Sequence, residues 1–231
     1  MIKKKVIAII PARGRSKRIP GKNYKKFNGR PIIASTIRKL KESKIFDRII
    51  VSTDSKKIAN ISIKMGAEIP FIRSKFLSND YTSTLSVVSN CVRFLCNQGH
   101  EFDYVCCVYA PNPFLQINDL KKGLNKIKKN KYNYVLSAIT FQFPFFRSFT
   151  YSRSQGIKML ISKNLNKRSQ DLKEIICDAG QFYWGHKESW IYEKKLFSKK
   201  SGIIKIPTWR YHDIDTPENW KRAEIFSRYI K

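Results

Sequence analysis

The chain has 231 residues, 42% of them hydrophobic, enough to bury the core of one large α/β domain. A formal charge of +29, from 46 Lys and Arg against 17 Asp and Glu, points to anionic partners: nucleotides, nucleic acid or a membrane surface. No stretch is long enough to span a bilayer, and there is no solenoid-period repeat or low-complexity linker.

The N-terminal run Val6-Ile7-Ala8-Ile9-Ile10 reads as a fully buried strand. It imitates a secretory leader only faintly, because it is short and Pro11 and Arg13 interrupt it. The expected compartment is the cytoplasm. The strand runs into Pro11-Ala12-Arg13-Gly14-Arg15-Ser16-Lys17-Arg18-Ile19-Pro20-Gly21-Lys22-Asn23, which carries five cations within eleven positions. Residues 32–43 place Ile33, Ile37 and Leu40 on one face and read as a helix. Residues 48–53 read as a strand ending at Asp54, and 56–65 as a helix stopped by Gly66. Residues 68–73 read as a short strand. A helix over 84–98, with Leu85, Val88, Val92 and Leu95 in a stripe, leads to a strand over 104–109. A helix over 118–129 and a strand over 134–140 follow.

This alternation argues for one domain over residues 1–231: a mostly parallel sheet with helices on both faces, of Rossmann-like three-layer form. Ligands of such sheets bind outside the carboxyl ends of the strands. The loops at 11–23, 54 and 110–115 are therefore expected on one rim. Residues 141–176 break the pattern, starting at the aromatic run Phe141-Gln142-Phe143-Pro144-Phe145-Phe146. They read as an inserted excursion, an oligomer contact or lid, with a hairpin folded back on its own domain as the competing reading. Residues 181–184 and 203–206 read as returning strands. Thr216-Pro217-Glu218 opens a last helix, with Thr as cap and Pro in the first turn.

The five cysteines form no C-x-x-C pair and are odd in number, so reduced thiols are expected. The three histidines stand too far apart in sequence to complete a zinc site. The basic loop is neither a Walker A loop nor G-x-G-x-x-G, since six residues separate Gly14 from Gly21. Gly14 and Ser16 can still offer backbone N–H groups to phosphate, with Arg13, Lys17 and Lys22 neutralising its charge. Near the other end, Asp213 and Asp215 flank one residue. In extended backbone both point to the same side and can face one cation. Magnesium, which bridges carboxylates to substrate phosphates, suits them. The competing reading is an acidic turn that only caps a helix.

The pattern Ile10-Pro11-Ala12-Arg13-x-x-Ser16-Lys17-x-x-x-x-Lys22-Asn23 resembles the nucleotide-binding signature of CMP-sugar cytidylyltransferases. The resemblance continues through Phe46-Asp47-Arg48-Ile49-Ile50-Val51-Ser52-Thr53-Asp54, the run ending at Arg73, Leu77-Ser78-x-Asp80-x-Thr82-Ser83-Thr84 and Asp213-Ile214-Asp215-Thr216-Pro217-Glu218. It covers essentially the whole chain. Cys106-Cys107-Val108-Tyr109-Ala110-x-x-Pro113-Phe114-Leu115-Gln116, Arg168-Ser169-Gln170-Asp171-Leu172 and Asp178-Ala179-Gly180-Gln181-Phe182-Tyr183-Trp184-Gly185 look most like the pseudaminic acid branch. Pro111-Asn112 departs from the small residues that branch implies, and Arg18-Ile19-Pro20-Gly21-Lys22 is also similar to 3-deoxy-manno-octulosonate enzymes.

The resemblance implies CTP as one substrate and a nine-carbon keto-sugar acid as the other, Mg²⁺ as cofactor, and a homodimer. It implies CTP contacts at Ala12, Arg13, Gly14, Ser16, Lys17, Lys22, Asn23, Arg73, Asp80, Thr82 and Ser83. Sugar contacts are implied at Tyr109, Arg168, Gln170, Asp178 and Gln181, and a metal at Asp213 and Asp215. Arg13, Lys22, Asp213 and Asp215 form the implied catalytic group. A basic nucleic-acid-binding module is the alternative of another class; no DNA- or RNA-binding motif accompanies the charge.

Overall fold

A computed structural model describes residues 4–141 and 145–229, so Gln142, Phe143 and Pro144 of the aromatic run lie outside the described residues. The elements in chain order are β1 Val6–Pro11, a small hairpin of β2 Lys26–Phe27 and β3 Arg30–Pro31, α1 Ile32–Ser43, β4 Arg48–Ser52 and α2 Lys56–Lys64. Then come α3 Thr84–Asn97, β5 Tyr104–Val108, α4 Ile117–Lys129, β6 Tyr134–Thr140, β7 Phe149–Ser152 and β8 Gly156–Met159. The chain closes with β9 Ile176–His186, α5 Lys187–Ile191, β10 Ser201–Lys205 and α6 Pro217–Ser227.

Six strands form the central sheet in the order β10-β6-β9-β5-β1-β4. β1 pairs in parallel with β4 and β5, and β10 in parallel with β6. β9 alone runs antiparallel, wedged between β5 and β6. The mostly parallel sheet expected from the sequence is therefore present, with one reversed strand that periodicity alone does not orient.

The alternation of β1 sorts the core. Ala8 and Ile10 pack with Ile33 and Ile37 of α1, Ile58 of α2 and Leu124 of α4 on one face. Ile7 and Ile9 pack with Val88, Val92 and Leu95 of α3 and Trp190 of α5 on the other. Cys106 and Cys107 go one to each side, buried and unpaired. Burial pushes both thiols far up, so they stay protonated core residues. Close packing of α4 on β9 requires Gly123, where a Cβ would meet the Trp184 ring at 2.4 Å.

Two expectations need adjustment. Residues 68–73 do not form a strand; only the isolated bridges Ile50↔Glu68 and Thr53↔Ile72 occur. Pro70 removes the donor that a continuous ladder would use. The short α5 was not read from the sequence, and residues 181–184 belong to a strand of eleven residues. The helix stop at Gly66 holds, with φ +81, and so does the Thr216 cap, whose hydroxyl accepts from the Asn219 amide at 3.1 Å.

Because β9 is reversed, its amino end lies beside the carboxyl ends of β5 and β6; Ala138 pairs with Asp178 and Val108 with Phe182. One rim thus gathers the ends of β1, β4 and β5, the 110–116 loop and the start of β9. Between β6 and β9 hangs the excursion, whose hairpin of β7 and β8 pairs only with itself among the described residues. Every residue of β7 is exposed, as are Ile157 and Leu160.

Candidate active site

The basic loop and the acidic pair meet through a small apolar cluster. Ile19 of the loop and Ile214, the residue between the two aspartates, are both buried with Phe27, Phe114 and Trp220. Burying each isoleucine contributes roughly 1.5–3 kcal/mol. With Ile214 turned inward, its flanking carboxylates turn outward. Lys22 completes the junction: its Nζ donates to Asp215 Oδ1 at 2.9 Å and to the Ile214 carbonyl at 3.1 Å. Arg18 pairs with the other Asp215 oxygen at 2.8 Å. Residues 192 positions apart in the chain thus share one wall.

Two cavities open on the rim and share Lys22, Tyr109 and Pro111 as lining residues. The first, 280 Å³, is bordered by Arg13, Asn23, Arg73, the 77–80 segment, Thr82 and Thr84. Asn23 is buried and donates through Nδ2 to the Arg13 carbonyl at 2.8 Å, fixing the loop's curvature. Arg73 is buried, not an ordinary surface arginine; it donates to Ser78 Oγ at 3.1 Å and to the Ser52 carbonyl at 3.3 Å. Burial lowers its pKa against a rise from Asp54, and it stays charged. Asp80 pairs with Arg13 and Lys17, both at 2.6 Å, and these two bonds hold its carboxyl below the usual range.

The second cavity, 320 Å³, is lined by Asp178, Ala179, Gly180, Tyr183, Tyr211, His212, Asp213 and Asp215 besides the shared residues. Asp178 is oriented by the Gly180 amide at 2.9 Å and by a short hydrogen bond from the Tyr183 hydroxyl. Tyr109 packs edge-on against Tyr183 and shares a hydrogen bond with Thr84 at 3.0 Å, so it stands at the border of the two cavities. His212 lies between the rings of Phe114 and Phe226, at 4.6 and 4.7 Å. Burial, then Arg222, pushes its imidazole pKa down, so it sits as a neutral packing ring. Burial and the neighbouring Asp215 raise the pKa of Asp213.

Among the described residues no three His, Cys, Asp or Glu side chains converge as a metal cluster. The two rim carboxylates still fit Mg²⁺, which takes hard oxygen ligands and fills its remaining positions with water and phosphate oxygen.

Of the residues expected to bind, Arg13, Lys22, Asn23, Arg73, Asp80, Thr82 and Tyr109 border the first cavity, and Tyr109, Asp178, Asp213 and Asp215 the second. Ser16 and Lys17 face an adjoining groove on the outer side of the loop. Ala12 is fully buried, and its amide is used by the Ser52 carbonyl at 2.9 Å. The Gly14 amide is taken by Asp54 at 2.7 Å. Ser83 caps α3, accepting from the Ser86 amide at 3.0 Å. Gln181 is buried beneath the second cavity, its amide donating to the Arg210 carbonyl at 3.3 Å. Arg168 and Gln170 are exposed in the excursion and border neither cavity; Arg168 pairs with Asp171 at 2.9 Å. Sequence reasoning set Asp54 on the rim but assigned no site role to it, to Tyr183 or to Tyr211. Asp54 closes the second strand, and position at a strand end was the available signal.

The profile of the family described as Cytidylyltransferase matches residues 7–212. A pseudaminic acid cytidylyltransferase of Campylobacter jejuni is 39% identical over 221 residues, covering 96% of this chain and 95% of the relative. A CMP-N,N'-diacetyllegionaminic acid synthase of Legionella pneumophila is 31% identical, with 95% of each chain covered. Among solved structures, a CMP:2-keto-3-deoxy-manno-octonic acid synthetase complexed with CTP superposes with a TM-score of 0.69. It covers 97% of this chain and 99% of its own at 14% identity, which speaks for the fold alone. This chain belongs to the CMP-sugar cytidylyltransferase family.

Proposed function

We propose that the protein transfers CMP from CTP to the anomeric hydroxyl of pseudaminic acid, releasing pyrophosphate. The observation that carries this reading is the Lys22–Asp215 junction, where a cationic loop and a carboxylate pair face two adjoining cavities. The name of the 39% identical relative supplies the choice of sugar.

The first cavity takes the nucleotide, with the 77–82 segment and Arg73 around the base and ribose. Arg13, Lys17 and Lys22 hold the triphosphate. Asp80 must then release Arg13 and Lys17, so nucleotide binding exchanges one carboxylate for phosphate oxygens. The second cavity takes the sugar acid between Tyr109, Asp178 and Tyr211. Tyr109 and Pro111, common to both cavities, set the approach of the sugar. The anomeric oxygen forms a bond to the α-phosphorus as the bond to the β-phosphate oxygen breaks. Pyrophosphate departs with that electron pair, and the hydroxyl proton goes to solvent. Asp213 and Asp215 would hold Mg²⁺; when bound, the ion neutralises charge between the reacting oxygens and eases deprotonation of the hydroxyl. The protein's main contribution is orientation and charge neutralisation.

We take residues 141–176 as the contact of a homodimer, given the exposed Phe149, Tyr151 and Ile157 on an unpartnered hairpin. Sedimentation of Phe149→Glu/Ile157→Glu should then show a monomer where the parent chain is a dimer. A monomeric parent, or an unchanged dimer in the variant, refutes that contact. The free thiols fit a reducing, cytoplasmic compartment.

Pyrophosphate release measured with CTP and a panel of nonulosonic acids tests the substrate. Pseudaminic acid should give the highest kcat/KM, by about 10-fold or more over N-acetylneuraminate, the discrimination of roughly 1.4 kcal/mol that one well-placed polar contact supplies. Preference for N-acetylneuraminate or a legionaminate refutes the choice of sugar; release with none of them refutes the reaction.

A further inference from the structure

Arg210 and Asp119 form an ion pair at 2.5 Å, with only 9% and 6% of their side chains exposed. Among the described ion pairs it alone is buried on both sides. Neither residue lines either cavity. A buried pair adds little net stability over apolar side chains of like size, so its place in the fold bears on what it does.

That place is specific. Arg210 stands three positions ahead of Asp213, in the turn Thr208–Arg210. Asp119 lies in the first turn of α4, directly after the loop that contributes Pro111 to both cavities. The Arg210 carbonyl accepts from Gln181, and the Gln181 carbonyl accepts from Asn112 at 3.0 Å. The pair thus ties the acidic segment to the cavity-forming loop and to β9. From the far side, Ile214 and Lys22 fix the same segment to the basic loop.

We propose that the Arg210–Asp119 pair is a positioning device for CMP transfer: it sets where Asp213 and Asp215 stand relative to both substrates. The proposal rests on the reading of those aspartates as the holders of Mg²⁺. A charge-assisted hydrogen bond from Arg210 Nη1 to Asp119 Oδ2, buried between two elements, fixes distance and direction together, which an apolar contact does not.

The test compares Arg210→Met, the double variant Asp119→Leu/Arg210→Met, and Arg210→Lys. The single Met variant strands a buried carboxylate and should lower Tm. The double variant removes both charges and should recover Tm to near the parent value. Its kcat should nevertheless stay about 10–100-fold down, with the Mg²⁺ concentration for half-maximal rate raised by about the same factor and KM for CTP within about two-fold, the size of effect expected when a partner that orients metal ligands is lost. Calorimetric titration of Mg²⁺ into protein with CTP, without sugar acid, should show the same weakening without turnover. Parent-like kcat and Mg²⁺ response in the double variant would make the pair purely structural and overturn the proposal. Should the double variant not fold, Arg210→Lys decides: it keeps the charge but not the reach and planar geometry that set this contact, and unchanged kcat and Mg²⁺ response there overturns the proposal equally. Failure of the underlying reading shows separately, as full Mg²⁺-dependent activity in Asp215→Ala.

Discussion

Replacing Asp215 with alanine should reduce kcat by about 10²–10³-fold, or roughly 2.7–4 kcal/mol, the loss expected when one preorganised charge-stabilising group is removed. The fold should survive. Asp215 is at the rim, the cluster beneath it is held by Ile214, and Thr216 still caps α6. Surface ion pairs such as those to Lys22 and Arg18 add about 0–1 kcal/mol each, so Tm should move by only a few degrees. Asp215→Asn keeps the shape and removes the charge, and it should lose activity nearly as completely. Steady-state rates at saturating CTP and sugar acid, with Mg²⁺ varied, check this. Full turnover in Asp215→Ala with Mg²⁺ still required would remove the carboxylate from the mechanism.

Lys22→Ala should act mainly on the nucleotide. Its ammonium has two partners on the acidic segment and lines both cavities, so a phosphate oxygen entering the cleft meets it directly. Hydrogen bonds to charged groups are worth about 1.5–3 kcal/mol, which corresponds to a rise in KM for CTP of about 10–100-fold. Lys22→Arg keeps the charge on a different geometry and should recover part of the loss. A normal KM for CTP with a reduced kcat would mean that Lys22 serves only to brace Ile214 and Asp215. An unchanged response in both constants would exclude any contact with the nucleotide.

Local chemistry made much of this legible from residues alone. Val6–Pro11 follows from its continuous apolar run, buried on both faces, and α1, α2, α3 and α4 from apolar periodicity, because each packs one face on the sheet. Thr216-Pro217-Glu218 announces a helix start through capping that depends on neighbouring residues only. The cations of the basic loop and the spacing of Asp213 and Asp215 are equally local signals. What stayed hidden depends on residues far apart. β9 carries no mark of its direction, since alternation reads the same forward and backward. The Arg210–Asp119 pair spans 91 positions, and each partner alone looks like a surface charge. Gly14 suggested a free amide for phosphate, and only the fold reveals Asp54 as its partner. The segment 68–73 looked like a strand, but it bends at Phe71 and Pro70 keeps it from joining the ladder beyond two isolated bridges.

The reversed strand has a consequence for how this enzyme can change. Thr140 and Ile176 are register partners, so the chain leaves the sheet and re-enters it at adjacent points on the ligand-facing edge. The intervening segment is an insert hung from that edge, while the basic loop and Asp54 follow β1 and β4 on another part of the rim. Exchange of that insert between relatives would leave every strand register of the central sheet in place.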